Sequence, residues 1–401
     1  MPEQSYKYII VGTGLAGGCS ADGIREIDKK GSVLLVGNEN HLPYDRPSLS
    51  KKLWFGKKKV EEIFLHDQKY YDERGIDVRL GIKIIELDAK RKIVIDENRN
   101  SYRYEKLLLA TGGVPRTLTV QGGTIRDACY YRYLDDYLRI RDEAKEGKSA
   151  VVIGGGFIGS EIAAALNINQ IKVTMIFPEL YLVQRVFPDY LGKAVQQHYI
   201  ERGITILNDD QPASFIKCGG EFVTKTGEGK EVESDILIIG VGIKPVMDLA
   251  RQAGLKVSNG IEVNEYLQTS DPNIYAAGDN ALFPYQVLGQ NMRVEHWDNA
   301  VNQGKWAGRN MAGAYEKFDY MPYFFSDLFE FGYEAVGEVD SRLETFADWQ
   351  KENDTGVIYY LKEGKVRGAM MCNVWGKINA ARELIKKGER IKPQSLVGLI
   401  H

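Results

Sequence analysis

The sequence predicts an α/β protein with two Rossmann-type dinucleotide-binding domains and a small α+β C-terminal domain. Three observations carry that expectation. A strand, glycine turn, helix, strand and acidic residue follow one another near the start of the chain. The same order returns after residue 149, and the last part of the chain alternates apolar and polar residues as an antiparallel sheet does.

The first copy opens with residues 6–11, a β-rich apolar run, followed by Gly12-Thr13-Gly14-Leu15-Ala16-Gly17 and a helix-compatible stretch. Gly12 permits a tight turn, Gly14 lets a pyrophosphate approach the backbone, and Gly17 allows close helix-to-strand packing. The helix N-terminus adds N–H donors and positive potential. Residues 33–36 form the next strand. Glu39 then stands about 20 positions past Gly17, where a carboxylate accepts from ribose hydroxyls, with Asn38 as the competing candidate.

The second copy has the same grammar. Residues 150–153 read as a strand, Gly154-Gly155-Gly156-Phe157-Ile158-Gly159 as the turn, a helix runs through Leu166, and residues 173–176 give the next strand. Glu179 again lies about 20 positions past the last glycine. One such motif is weak, but two complete ones imply two dinucleotides.

Short β runs follow each copy. Residues 82–87, 92–95 and 102–109 end in Ala110-Thr111-Gly112-Gly113, and residues 215–217, 222–226 and 236–239 end in Gly240-Val241-Gly242, so the halves read as duplicated. Residues 273–277 then meet a Gly278-Asp279 corner, which either presents a carboxylate to a polyol or is an ordinary turn.

Composition narrows the function classes. A chain of 401 residues holds two or three domains, and 44% apolar with 27% charged residues is that of a soluble globular protein. A formal charge of -3 gives no global pull toward nucleic acid or an anionic membrane, although Lys57-Lys58-Lys59 is a local basic run. No segment approaches about 18 uninterrupted apolar residues, and the run from Tyr8 enters a glycine motif without a basic leader, so a cytoplasmic protein without a membrane span is expected. Cys19, Cys129, Cys218 and Cys372 are scattered and read as free thiols, and the five histidines form no H-x-x-x-H pair, so no metal is expected.

These motifs, together with Leu42-Pro43-Tyr44-Asp45-Arg46-Pro47-Ser48-Leu49-Ser50-Lys51, resemble those of pyridine-nucleotide-dependent flavoprotein reductases over nearly the whole chain. Within them the chain is similar to the ferredoxin-reductase and apoptosis-inducing-factor branch. The likeness is closer to apoptosis-inducing factor-like proteins, through Phe177-Pro178-Glu179, Arg293-Val294-Glu295-His296, Ser326-Asp327-Leu328 and Gly332-Tyr333-Glu334-Ala335.

The resemblance implies a glutathione-reductase-like arrangement. An FAD domain, residues 1–113 and 243–322, is split around an NAD domain, residues 114–242, with a cap or interface domain over 323–401 that includes β runs at 334–339 and 357–361 and a helix at 377–387. It places FAD against Gly12, Gly14, Leu15, Ala16, Gly17, Glu39 or Asn38, Arg46, Lys51, the backbone near Ile84, Arg132, Gly278, Asp279, Glu295, His296 and Phe325. It places NADH against Gly155, Gly156, Phe157, Ile158, Glu179, Arg185 and Gly242. Lys51 would supply positive charge to the reduced flavin and pair with Glu161, linking the two nucleotide domains beside flavin N5. Phe157 would cover the nicotinamide and His296 flank the flavin. Phe325 departs from the family pattern, standing where relatives carry tryptophan.

Flavoprotein disulfide reductases need a redox cysteine close to the flavin, and residues 42–55 hold none. Electrons are therefore expected to leave directly from the flavin to a separate acceptor: a ferredoxin- or rubredoxin-type carrier, a quinone or another small oxidant. The other reading is a redox-responsive binding protein that forms a long-lived reduced FAD–NAD charge-transfer complex. A homodimer fits either reading, and no nucleic-acid partner is expected.

Overall fold

Strand Gln4–Val11 is apolar where it is deepest, and Ile9, Ile10 and Val11 are buried because neighbours flank it on both edges. Val33–Val36 runs parallel to it on one side and Ser101–Leu109 on the other, and Ile76–Arg79 extends the sheet beyond Val33–Val36. Such doubly flanked parallel strands read as continuous apolar runs, here Val33-Leu34-Leu35-Val36 and Leu107-Leu108-Leu109. Ser101–Leu109 is long enough for two roles. Its first residues pair antiparallel with Ile93–Asp96, which pairs with Ile84–Asp88, and its last residues pair with Ile274–Ala276.

This computed structural model describes residues 4–125 and 127–400, which fall into two units. The seven-stranded sheet belongs to the first, formed by residues up to 46, 60–114 and 244–322. Helices Leu15–Ile27 and Trp297–Met311 pack backbone to backbone there. A Cβ on Gly304 would stand 2.3 Å from the Ala16 carbonyl oxygen, and one on Gly308 2.0 Å from that of Ser20, so only glycine permits the approach.

The second unit takes residues 47–59, 115–243 and 323–400 of the described chain. Its parallel sheet runs in the order Thr205–Asn208, Lys172–Phe177, Ser149–Ile153, Ile236–Ile239, Cys129–Tyr130. A separate antiparallel sheet holds Pro212–Cys218, Glu221–Thr226 and Glu231–Ser234. Here the two halves are not simple copies. Ser101–Leu109 serves both kinds of pairing in the first unit, whereas its counterpart is broken at Asp235, whose carboxylate accepts from the Ser149 N–H at 2.8 Å and from Lys148 Nζ at 2.7 Å.

Residues 323–400 form a five-stranded antiparallel sheet, ordered Tyr323–Leu328, Phe331–Gly337, Lys365–Cys372, Thr355–Lys362, Glu344–Lys351. Helix Ile378–Lys387 covers it through Ile378, Ala381 and Ile385, which share one helical face. The fold is thus the predicted α/β arrangement with a small α+β C-terminal part. Among the described residues no helix is long and apolar enough to cross a membrane.

Segment 47–59 packs on the second unit because Leu49, Leu53 and Trp54 are buried there. The Tyr131 hydroxyl donates to the Leu49 carbonyl at 2.5 Å, Trp54 Nε1 donates to that hydroxyl at 3.1 Å, and Asn169 Nδ2 donates to the Trp54 carbonyl at 3.2 Å.

Candidate active site

In the first unit the glycine turn joins strand Gln4–Val11 to helix Leu15–Ile27. Gly12 adopts φ +125°, and a Cβ there would lie 2.0 Å from the Ala110 carbonyl oxygen. A Cβ on Gly17 would lie 1.8 Å from the Gly12 carbonyl oxygen, so both glycines are demanded by the fold itself. Gly14 differs. It is the helix N-cap in ordinary extended conformation, and nothing in the protein lies within 4 Å of a Cβ placed there. The fold does not need glycine at this position, whereas a pyrophosphate lying on the first-turn N–H groups of helix Leu15–Ile27 would.

Glu39 follows strand Val33–Val36 and Asn38 is exposed. The Glu39 carboxylate accepts from the Tyr44 hydroxyl at 2.6 Å and from Arg46 at 2.7 Å. Burial pulls the Arg46 guanidinium down, but the Tyr44 hydroxyl, Glu39 and Asp279 outweigh it, so its pKa is raised. The Glu39 carbonyl accepts the Gly81 N–H at 3.0 Å, which brings the chain leading to Ile84 against this strand end.

Ile274–Ala276 ends at the Gly278-Asp279 corner, where Gly278 has φ +87°. The Asp279 carbonyl accepts from Arg293, which also ion-pairs with Glu295. His296 is the N-cap of helix Trp297–Met311, and burial pushes its imidazole down to about 4, the Asp279 carboxylate opposing.

Three residues absent from the sequence expectation belong to this region. Gln303 Oε1 accepts the Gly278 N–H at 2.9 Å, Asn280 Nδ2 donates to the Leu109 carbonyl at 3.1 Å, and Asn299 Nδ2 donates to the Val294 carbonyl at 2.8 Å. Gln303 Nε2, Asn280 Oδ1 and Asn299 Oδ1 are buried without a partner among the described residues. Buried amides are normally satisfied, so this leftover capacity suits a polar ligand, and FAD fits the residues present. Their signal was faint, since lone amides follow no spacing rule.

In the second unit Gly154 adopts φ +113° and Gly159 closes against it, a Gly159 Cβ falling 1.9 Å from the Gly154 carbonyl oxygen. Gly155 lies against Phe177, a Cβ there falling 2.7 Å from the ring. Gly156 caps helix Phe157–Ile168 with nothing within 4 Å of its Cβ position, as at Gly14. A second nucleotide fits by the same reasoning. Ile158 is exposed, and the half-buried Phe157 ring packs edge-on against Phe324 at 5.7 Å. Glu179 lies just beyond strand Lys172–Phe177 and is half-buried, Arg185 is exposed, and the Gly242 carbonyl accepts the Arg116 N–H at 2.9 Å.

Lys51 Nζ stands 2.6 Å from Glu161 Oε1, with both residues buried. The two hydroxyls of Ser50 and Ser326 complete the carboxylate's shell, each at 2.5 Å. The Lys51 ammonium also lies 5.4 Å from the Phe325 ring centre. All these residues belong to the second unit, so the Lys51–Glu161 pair closes within one unit instead of linking two, because the buried apolar residues of segment 47–59 carry Lys51 there. Arg132, which precedes helix Leu134–Glu143, and Phe325 belong to this unit too.

The four cysteines are free. Burial pushes the Cys19 and Cys129 thiols up to about 12 and raises that of Cys372 as well, which disfavours the nucleophilic thiolate. Among the described residues no three His, Cys, Asp or Glu side chains form a group that could hold a metal ion.

Residues 6–304 match the family described as pyridine nucleotide-disulphide oxidoreductase, and residues 307–355 match that described as apoptosis-inducing factor, mitochondrion-associated, C-term. The chain is 32% identical to apoptosis-inducing factor 1, mitochondrial, of Dictyostelium discoideum over 97% of this chain and 80% of the relative. It is equally 32% identical to the anthranilate 1,2-dioxygenase system ferredoxin–NAD(+) reductase component of Burkholderia cepacia, over 97% and 96% of the two chains. The solved covalent putidaredoxin reductase–putidaredoxin complex contains a similar chain, with TM-score 0.91, 30% identity and coverage of 99% and 96%. Two glycine turns shaped for dinucleotides and a family match across both of them lead to one conclusion: the chain belongs to the pyridine nucleotide-disulphide oxidoreductases and is an FAD-containing, NADH-dependent flavoprotein reductase.

Proposed function

We propose that this reductase serves a small redox protein, taking hydride from NADH and delivering electrons from FAD to a separate iron–sulfur carrier. The observation that carries the direct route is the pair of open glycine caps, Gly14 and Gly156, in a chain whose buried thiols are held protonated. The carrier is supported by a relative named as a ferredoxin–NAD(+) reductase component and by a neighbour solved in complex with putidaredoxin.

When bound, FAD supplies a two-electron acceptor that can release its electrons to a carrier. The first unit is the proposed FAD domain, with Glu39 and Arg46 toward the adenosine end and the Gly278-Asp279 corner toward the ribityl chain. The second unit is the proposed NAD domain, where Glu179 accepts from ribose hydroxyls and Phe157 lies over the nicotinamide. Lys51 presents positive charge to the flavin, and His296, neutral at physiological pH, flanks it without adding charge. Residues 323–401 act as a cap and as the proposed dimer interface. The cytoplasm is the proposed compartment, since its reducing poise keeps thiols such as the exposed Cys218 free.

Steady-state turnover on a panel of carriers and small oxidants, measured beside the lifetime of NADH-reduced flavin in air, tests the proposal. Fast reoxidation by an iron–sulfur carrier supports it. A persistent reduced flavin with poor turnover on every acceptor would replace it with the redox-responsive binding reading.

A further inference from the structure

Two stretches of chain, residues 50–51 and Ser326, converge on the Glu161 carboxylate. Oε1 receives Lys51 Nζ at 2.6 Å and Ser326 Oγ at 2.5 Å, and Oε2 receives Ser50 Oγ at 2.5 Å. Exposure is 2% for Ser50, 5% for Lys51, 4% for Glu161 and 1% for Ser326, so the four side chains are shielded from bulk solvent. An ammonium carries three N–H donors, and among the described residues that of Lys51 meets one acceptor, Glu161, which leaves two donors for a ligand.

Consecutive residues of strand Tyr323–Leu328 meet this cluster or the helix Phe157–Ile168 that carries Glu161. Phe324 meets Phe157, Phe325 lies under the Lys51 ammonium, and Ser326 bonds Glu161. A carboxylate held by one partner turns readily about its last torsion, and a lysine on a four-carbon stem follows it. Holding both oxygens from opposite segments removes that freedom, and hydrogen bonds to an ionised group are the strong ones.

We propose that Ser50 and Ser326 are positioning residues, whose hydroxyls fix Glu161 and, through it, aim the two remaining N–H donors of Lys51 at the flavin. The inference rests on the reading that Lys51 serves the flavin. It assigns the C-terminal sheet a part in the redox centre, because one of the two hydroxyls arrives on its edge strand.

The test uses the FAD-loaded protein and variants Ser50→Ala, Ser326→Ala, Ser326→Thr, Lys51→Met and the double Ser326→Ala/Lys51→Met. Anaerobic stopped-flow reduction gives the limiting rate and the apparent affinity for NADH, and a reference dye gives the flavin midpoint potential. Each alanine variant should lower the limiting rate about tenfold and shift the potential while NADH affinity is kept, as loss of one hydrogen bond to a charged group requires. Ser326→Thr should restore both, and Ser326→Ala should add nothing once Lys51 is methionine. Wild-type rate and potential in both alanine variants, or an equal loss on top of Lys51→Met, would overturn the proposal, and Ser50→Ala carries the same test should Ser326→Ala fold poorly. Wild-type behaviour of Lys51→Met would instead overturn the flavin reading beneath it.

Discussion

Gly14 and Gly156 stand in the same conformation, φ −80° and ψ −172° against φ −83° and ψ −167°, each as the N-cap of a helix. At neither does a protein atom approach within 4 Å of a Cβ position, while Gly17 and Gly159, three residues on, leave no room for one. On the proposed reading, the contrast separates glycines kept for folding from glycines kept for a ligand. Gly14→Val should therefore fold and purify without FAD, and Gly156→Val should fold, hold FAD and fail to be reduced by NADH. Gly17→Val should not fold. Flavin absorbance and circular dichroism decide, and a yellow Gly14→Val protein would contradict the assignment.

Nucleotide choice follows from Glu179. In the proposed NAD unit its half-buried carboxylate follows the second strand, where it would accept from ribose hydroxyls and repel a 2'-phosphate. NADH should be preferred over NADPH by about ten- to hundredfold in kcat/KM, a range expected of one such contact. Glu179→Ala should erode the preference, with Arg185 exposed nearby in sequence to receive the phosphate. Equal efficiency with both nucleotides in the unmutated protein would contradict it.

Lys51→Ala should cost stability as well as rate. Removing one partner of a buried pair leaves the other charge uncompensated, a loss of about 3 kcal/mol or more, even though such pairs add little net stability when intact. Denaturant unfolding of the FAD-loaded variant measures it. Lys51→Ala together with Glu161→Ala should lose less than Lys51→Ala alone, and a strictly additive pair would be inconsistent with the 2.6 Å contact.

Much of this was legible in the chain because glycine turns and buried parallel strands obey local rules. Residues 33–36 and 236–239 were bounded as they occur, and both glycine fingerprints fell where the helices begin. Glu231–Ser234 escaped notice because its exposed glutamates leave only Val232 as an apolar signal, and Glu344–Lys351 because an edge strand is half-exposed along most of its length. Ser50 and Ser326 stood within recognised motifs, but their role escaped notice for another reason. A buried hydroxyl acts through a three-dimensional contact, and no spacing along the chain marks it. The docking of segment 47–59 left a trace in Leu49, Leu53 and Trp54, an apolar stripe beside Lys51 that a surface loop would not need.

His296 makes acid stability testable. Burial pushes its imidazole from 6.5 down to about 4, so between those values the unfolded chain binds a proton that the folded protein refuses. Stability is lost as pH falls through that window. The melting temperature of the unmutated protein should drop more steeply from pH 6.5 to about 4.5 than that of His296→Gln, which lacks the titrating group. Parallel curves would show that His296 is solvated.

Anaerobic titration of the FAD-loaded protein with NADH, followed by flavin absorbance, tests the central claim that electrons pass from NADH to FAD and leave without a thiol relay. One equivalent of NADH per flavin should complete the bleaching and no further uptake should follow, since Cys19, Cys129 and Cys372 are buried with raised pKa values and the four cysteines are free. Uptake of a second equivalent, the signature of a dithiol–disulfide pair in series with the flavin, or a flavin that NADH does not bleach, would contradict it.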